Sequence, residues 1–237
     1  MRGLAVLASL LALAGCGGGD DEALVVFAAS SLNGVADKID PAAQVAFGGS
    51  NDLAAQIRDG AKAGVFLSAS AKPLEQLRAK GLVEAPVTFA SNRLVVVVPA
   101  KPATGVSRLR DLTLPGVKLV LGAEGVPIGD YARESLELAG LGAALENVVS
   151  LEEDVKGVLG KVALGEADAG IVYATDAAAA GAHVRSLPIS ERFQPQIRYY
   201  AAIVSPGSDA AKRYLDTLAG AEGEAALRAA GFLPAPS

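Results

Sequence analysis

From residue 24 onward, short runs of aliphatic and β-branched residues alternate with alanine-rich stretches, which restricts the chain to an α/β architecture with largely buried parallel strands. Runs over 24–29, 65–68, 94–98, 118–121, 169–173 and 199–204 predict strands, the third stopped by Pro99. The segments between them predict helices over 53–59, 73–80, 130–139, roughly 154–164, 209–218 and 222–230. Gly140 and Gly231 follow two of these, where glycine takes the left-handed cap conformation. The alanine run 177–180 also reads as helix, and there is no internal repeat.

The first residues read as an export signal rather than as part of this fold. Arg2 gives a positive start, residues 4–13 an apolar stretch, and Leu13-Ala14-Gly15-Cys16 a small-residue cleavage site ending in cysteine. An apolar run of about a dozen residues is too short for a permanent membrane helix, which needs ~20. Cys16 is the only cysteine of the 237 residues, so no intrachain disulfide forms, and its position after Leu-Ala-Gly fits a lipid-modified residue. Residues 17–22, Gly-Gly-Gly-Asp-Asp-Glu, then form a flexible tether. The expectation is a monomeric body anchored by lipid on the outer side of a membrane.

The formal charge of −5 argues against the basic stripes that a nucleic-acid surface needs. With no Trp, five Tyr and six Phe, stacking platforms are also unsupported. An acidic chain that binds an anion must do so with local donors, because its overall field repels the ligand.

Several predicted strands run directly into a small or hydroxyl residue and then a helix. The strand over 24–29 meets Ser30 and Ser31; Phe47-Gly48-Gly49-Ser50 leads into the helix over 53–59. In open α/β sheets, ligands sit beyond the carboxyl ends of strands, where helix N-termini present unpaired N–H groups. A serine there donates from both its N–H and its hydroxyl, although the same residue also serves as an ordinary N-cap. Glu124-Gly125-Val126-Pro127-Ile128-Gly129-Asp130-Tyr131 makes a glycine-bracketed entry into a helix, and Gly170-Ile171-Val172-Tyr173 ends a buried strand with a phenol. Tyr173 reads equally as a core residue or as a donor into a cleft.

Taken together, Val26-Phe27-Ala28-Ala29-Ser30-Ser31-Leu32, Phe47-Gly48-Gly49-Ser50, Val126-Pro127-Ile128-Gly129-Asp130-Tyr131-Ala132, Glu153-Asp154-Val155 and Gly170-Ile171-Val172-Tyr173 resemble, in order, the periplasmic molybdate-binding proteins of ABC transporters. The resemblance implies a two-lobe periplasmic-binding-protein fold of type II with the ligand cleft between the lobes. It also implies an oxyanion held without charged side chains: hydroxyl and N–H from Ser31 and Ser50, N–H alone from Ile128 and Val155, and the phenol of Tyr173. The lobes would be 23–92 with 200–237, and 93–199. Two departures from the family pattern stand out: Gly64 replaces a usual aspartate, and Asp40-Pro41 shortens the helix after Ser31. Ser150-Leu151-Glu152-Glu153 fits a capping box, yet a helix starting at Leu151 would use the Val155 N–H internally. Binding by Val155 therefore requires a start nearer Glu153.

The competing class is a serine hydrolase with Ser31 or Ser50 as nucleophile. There is no Gly-x-Ser-x-Gly elbow, and His183, the only histidine, sits between Ala182 and Val184 with no evident partner. One histidine and one cysteine also leave a metal site with carboxylates alone, so no metal or cofactor is expected. An amino-acid carrier would pair an Arg with an acid, which the matched positions lack. A donor-only set suits molybdate, tungstate or sulfate better than phosphate, which gains from an acceptor for its proton. Delivery to an ABC permease follows from the same resemblance.

Overall fold

The computed structural model describes residues 23–101 and 103–236. Cys16, the expected signal and the tether over 17–22 lie outside the described residues.

The first half of the fold is built as strand–helix units. Strands β1 (Val25–Ala29), β2 (Gln44–Gly48) and β3 (Val65–Ser68) are parallel and are joined through helices α1 (Ala36–Ile39) and α2 (Ser50–Arg58). Helix α3 (Ala71–Arg78) leads to β4 (Val87–Ser91), after which the chain crosses over. A second sheet follows, from β5 (Leu94–Pro99), β6 (Leu119–Gly122), β7 (Val148–Glu152), β8 (Ala169–Tyr173) and β9 (Val184–Pro188). Its helices are α4 (Pro127–Leu138), α5 (Val155–Ala163) and α6 (Ala174–Ala180). The chain then returns through β10 (Arg198–Ile203), α7 (Asp209–Ala219), α8 (Ala221–Ala229) and β11 (Leu233–Pro234).

The strand orders are β11-β4-β10-β3-β1-β2 and β7-β6-β8-β5-β9. In each sheet the inner parallel strands are covered on both faces, so β3, β6 and β8 are buried at every residue, as continuous apolar runs require. Side chains alternate between faces. Val26 and Ala28 of β1 therefore join the core that continues through β10 and β5, while Phe27 packs on the other side with Leu53, Ile57 and Leu74. Two segments cross between the sheets: Asn92-Arg93, and the stretch from β9 to β10. Arg198 and Tyr199 pair with Ser91 and Ala90, so they belong to the first sheet rather than to the segment before it.

Two expected helix starts need correction, and the tension at Ser150 is resolved. Helices α2 and α4 begin three residues earlier than the periodicity implied, at Ser50 and Pro127; their first turns are polar or begin with proline, so the apolar repeat starts only inside them. The capping box at Ser150 is not used: Ser150 lies in β7 and donates from its hydroxyl to Glu152 at 2.6 Å. Asp154 caps α5 instead, accepting from Gly157 N at 2.9 Å, so the helix starts at Val155. The helix after Ser31 is indeed interrupted, into a single 3-10 turn (Ser30–Leu32) and the four-residue α1. At Gly64, a Cβ would stand 2.5 Å from Leu24 Cδ1, so Leu24 occupies the space a larger side chain would need.

Candidate functional site

Five strand-to-helix junctions converge on one small cavity. Ser30 and Ser31 come from the end of β1, Gly48, Gly49 and Ser50 from the end of β2, Val126, Pro127 and Ile128 from the start of α4, Asp154 and Val155 from the start of α5, and Tyr173 from the end of β8. All five residues singled out as anion contacts from the sequence line this cavity. Its volume, about 20 Å³ as space for the centre of a water-sized sphere, suits a compact ion rather than a sugar or peptide. A roomier groove of about 160 Å³ lies beside Phe89, Leu227 and Phe232, but its charged groups, Arg228 and Glu224, are 3.9 Å apart and already paired.

The cavity is lined with donors. Ser50 and Val155 are the first residues of α2 and α5, and Ile128 is the second residue of α4; N–H groups in these positions have no acceptor within their own helix. Three helix N-termini thus bring partial positive charge to one point. The hydroxyls are oriented by their partners. Ser50 Oγ accepts the backbone N–H of Ala69 at 3.2 Å, and Ser31 Oγ accepts from the phenol of Tyr199 at 3.0 Å. With its acceptor side engaged, each serine has its own proton left to give. Tyr173 is 1 % exposed, and its phenolic oxygen has no hydrogen-bond partner among the described residues. Burial, reinforced by the neighbouring Tyr199 ring 5.8 Å away, pushes its pKa well above the usual phenol value, so it stays protonated and can donate.

No Lys, Arg or His is among the residues lining the cavity, and the single carboxylate there, Asp154, is turned back to cap its own helix. His183 is exposed and outside the cavity, so the hydrolase alternative has no base beside either serine. Among the described residues no cluster of three or more His, Cys, Asp or Glu could hold a metal, and no helix is long and apolar enough to cross a membrane.

The two halves also meet directly at the rim. Asn51 Nδ2 donates to Gly125 O at 2.7 Å, and Lys72 Nζ stands 3.9 Å from Asp130, whose other oxygen accepts from Gly125 N at 2.6 Å. Gly49 lies so close to the opposite half that a Cβ would be 2.7 Å from Glu153 O. Only glycine permits this approach. Behind the cavity, Asp176 near the start of α6 is 1 % exposed, with Lys156 Nζ 2.8 Å away but no well-directed hydrogen bond to either oxygen. Burial raises its pKa, and the Lys156 charge only partly opposes that.

Sequence reasoning missed Tyr199, Asn92, Asn51 and the Lys156–Asp176 pair. Asn51, Lys156 and Asp176 lie in the first turns of α2, α5 and α6, and Asn92 and Tyr199 beside the crossovers, but each is placed by a partner distant in sequence, up to 168 positions away for Tyr199 and Ser31. The one available signal was the Tyr199-Tyr200 pair at the head of an otherwise aliphatic run.

The bacterial extracellular solute-binding protein family matches residues 24–233. The chain is 33 % identical over 221 residues to the molybdate-binding protein ModA of Mycobacterium tuberculosis, covering 88 % of this chain and 84 % of that one. The solved structure of the periplasmic molybdate-binding protein of Azotobacter vinelandii matches with a TM-score of 0.78 at 24 % identity, over 90 % of this chain and 100 % of the other. The sulfate-binding protein SubI of M. tuberculosis matches with a TM-score of 0.73 at 16 % identity, over 90 % and 86 %. The last two likenesses establish the two-lobe periplasmic-binding-protein fold alone; which anion binds is a property of the site. By the extent of the family match and its likeness to ModA, the chain belongs to the bacterial extracellular solute-binding protein family.

Proposed function

We propose that this protein captures molybdate or tungstate outside the cytoplasm and delivers it to the permease of an ABC importer. The observation that carries the reading is a small cavity into which donors converge: helix-start N–H groups of Ser50, Ile128 and Val155, two serine hydroxyls, and the unpartnered phenol of Tyr173. A fully deprotonated tetrahedral dianion accepts at every oxygen. Sulfate satisfies the same donors and is the second reading, favoured by the fold shared with a sulfate-binding protein. Cavity size decides between them.

The lobes in this reading follow the two sheets, 23–92 with 198–237 and 93–197, two residues from the boundary expected at 199/200 because Arg198 and Tyr199 pair in the first sheet, with the crossover at Asn92-Arg93 and the one before β10 serving as the hinge. Binding favours closure because only the closed form gives the anion donors from both lobes. The protein works as a monomer tethered through lipid on Cys16. Cys16→Ser should leave the membrane fraction with its anion affinity unchanged; continued membrane association would refute the anchor.

Calorimetric titration with molybdate, tungstate, sulfate and phosphate tests the function. Molybdate and tungstate should bind most tightly and raise the melting temperature by mass action on the native state. Equal or tighter binding of phosphate would overturn the reading.

A further inference from the structure

The hydrogen bond from Tyr199 to Ser31 is the last link of a chain whose direction is fixed at its far end. Asn92 Oδ1 accepts the backbone N–H of Arg93 at 2.8 Å, which sets the orientation of the amide. Its Nδ2 then lies 2.9 Å from Thr175 Oγ1 and 3.4 Å from the phenolic oxygen of Tyr199. An amide NH₂ only donates, so the Tyr199 oxygen must accept there. Tyr199 is fully buried, and the remaining atom in reach of its proton is Ser31 Oγ at 3.0 Å. Ser31 receives that proton and must direct its own elsewhere, toward the cavity it lines.

Ser50 is held in the same sense by the Ala69 N–H, a backbone group that cannot reverse. Ser31 differs in depending on side chains that can rotate. Those side chains sit where the lobes join, Asn92 on the first crossover, Tyr199 at the start of β10, and Thr175 on α6 of the second sheet's half.

We propose that Tyr199, oriented by Asn92, is a positioning and specificity-determining residue that locks the Ser31 hydroxyl as a donor and so turns away oxyanions that carry a proton. The inference rests on the oxyanion site proposed above. A protonated anion needs one acceptor in the cavity. If Ser31 were free to rotate, it would supply one; held by Tyr199, it meets the anion's O–H with its own proton.

The test is calorimetric titration of the wild type, Tyr199→Phe, Ser31→Ala and the double variant with molybdate, sulfate, hydrogen phosphate and hydrogen arsenate. Tyr199→Phe keeps the ring that packs on Phe232 at 5.3 Å and removes one oxygen. Molybdate and sulfate should weaken by roughly three- to tenfold while hydrogen phosphate and hydrogen arsenate hold or tighten, so the selectivity ratio falls by about tenfold. In the Ser31→Ala background the Tyr199 change should leave that ratio within about twofold. A parallel loss for all four anions, or a ratio shift that persists without Ser31, would overturn the inference. Should Tyr199→Phe fail to fold, Asn92→Leu, which frees the phenol to turn, must move the ratio in the same direction or the inference falls. A wild type that binds none of the four refutes the proposed function, and the inference with it. A wild type that binds molybdate, with the ratio unmoved in Tyr199→Phe, refutes only the inference.

Discussion

The two halves of the cavity present their donors in different states of satisfaction. On the first-sheet side, Ser31 and Ser50 are each engaged by a protein donor, Tyr199 and the Ala69 N–H. On the second-sheet side, Tyr173 holds a fully buried phenol with nothing to receive its proton among the described residues. An unsatisfied buried polar group costs about 1–3 kcal/mol. The first half therefore has its serine hydroxyls already oriented, whereas the second carries a deficit that, in the proposed reading, a bound anion removes. In the proposed reading that difference couples binding to closure, because the buried phenol gains a partner when an anion sits between the two halves.

Tyr173→Phe should break this asymmetry with the largest effect. A hydrogen bond to a charged acceptor contributes roughly 1.5–3 kcal/mol, so molybdate affinity should fall by about 10- to 150-fold. The ligand-free protein should meanwhile melt at the same temperature or higher, because the orphaned hydroxyl is gone and the packed ring remains. Calorimetry and thermal melts together check both signs; a variant that melts lower yet binds normally would identify Tyr173 as a core residue.

Ser50→Ala sharpens the contrast from the other side. Affinity should drop by about tenfold, and the ligand-free protein should also lose stability, because Ala69 N–H is left without its acceptor. Loss of affinity with unchanged apo stability would mean that Ser50 is not preassembled.

The smallest expected effect concerns Asp176 behind the second half. Its folded pKa is raised by burial, so the stability linked to its protonated form is complete below the unfolded value near 3.8 and is lost as pH rises through the folded value. Asp176→Asn should therefore gain in melting temperature relative to the parent as pH climbs from about 4 toward neutrality. Lys156, whose side chain is 37 % exposed, can turn to solvent. A variant progressively less stable than the parent over the same range would show that the ion pair outweighs burial.

Much of this was legible in the sequence because strand-to-helix junctions write themselves locally. Ser31, Ser50 and Tyr173 each sit where an apolar run stops and a helix begins, whereas Ile128 and Val155 came from the family resemblance. The central strands were legible for the same reason: β3, β6 and β8 are buried on both faces and read as unbroken apolar runs. The edge strands β7 and β9 are largely solvent-facing, and Ser150 of β7 with Glu153 just beyond it imitated a capping box. What orients the site was not legible. The Asn92–Tyr199–Ser31 chain and the Asn51–Gly125 bond join residues 74 to 168 positions apart, and nothing in the local pattern around either end announces the other.

The most direct test is a crystal structure of the protein grown with tungstate, whose anomalous scattering locates the metal atom without reference to any assumed site. The account predicts one strong peak in the cavity between the starts of α2, α4 and α5, with the Tyr173 phenol, the Ser31 and Ser50 hydroxyls and the Ile128 and Val155 N–H groups all within hydrogen-bond distance of its oxygens. A peak elsewhere, such as beside Arg228, or an empty cavity at saturating tungstate with Tyr173 still unpartnered, would contradict it.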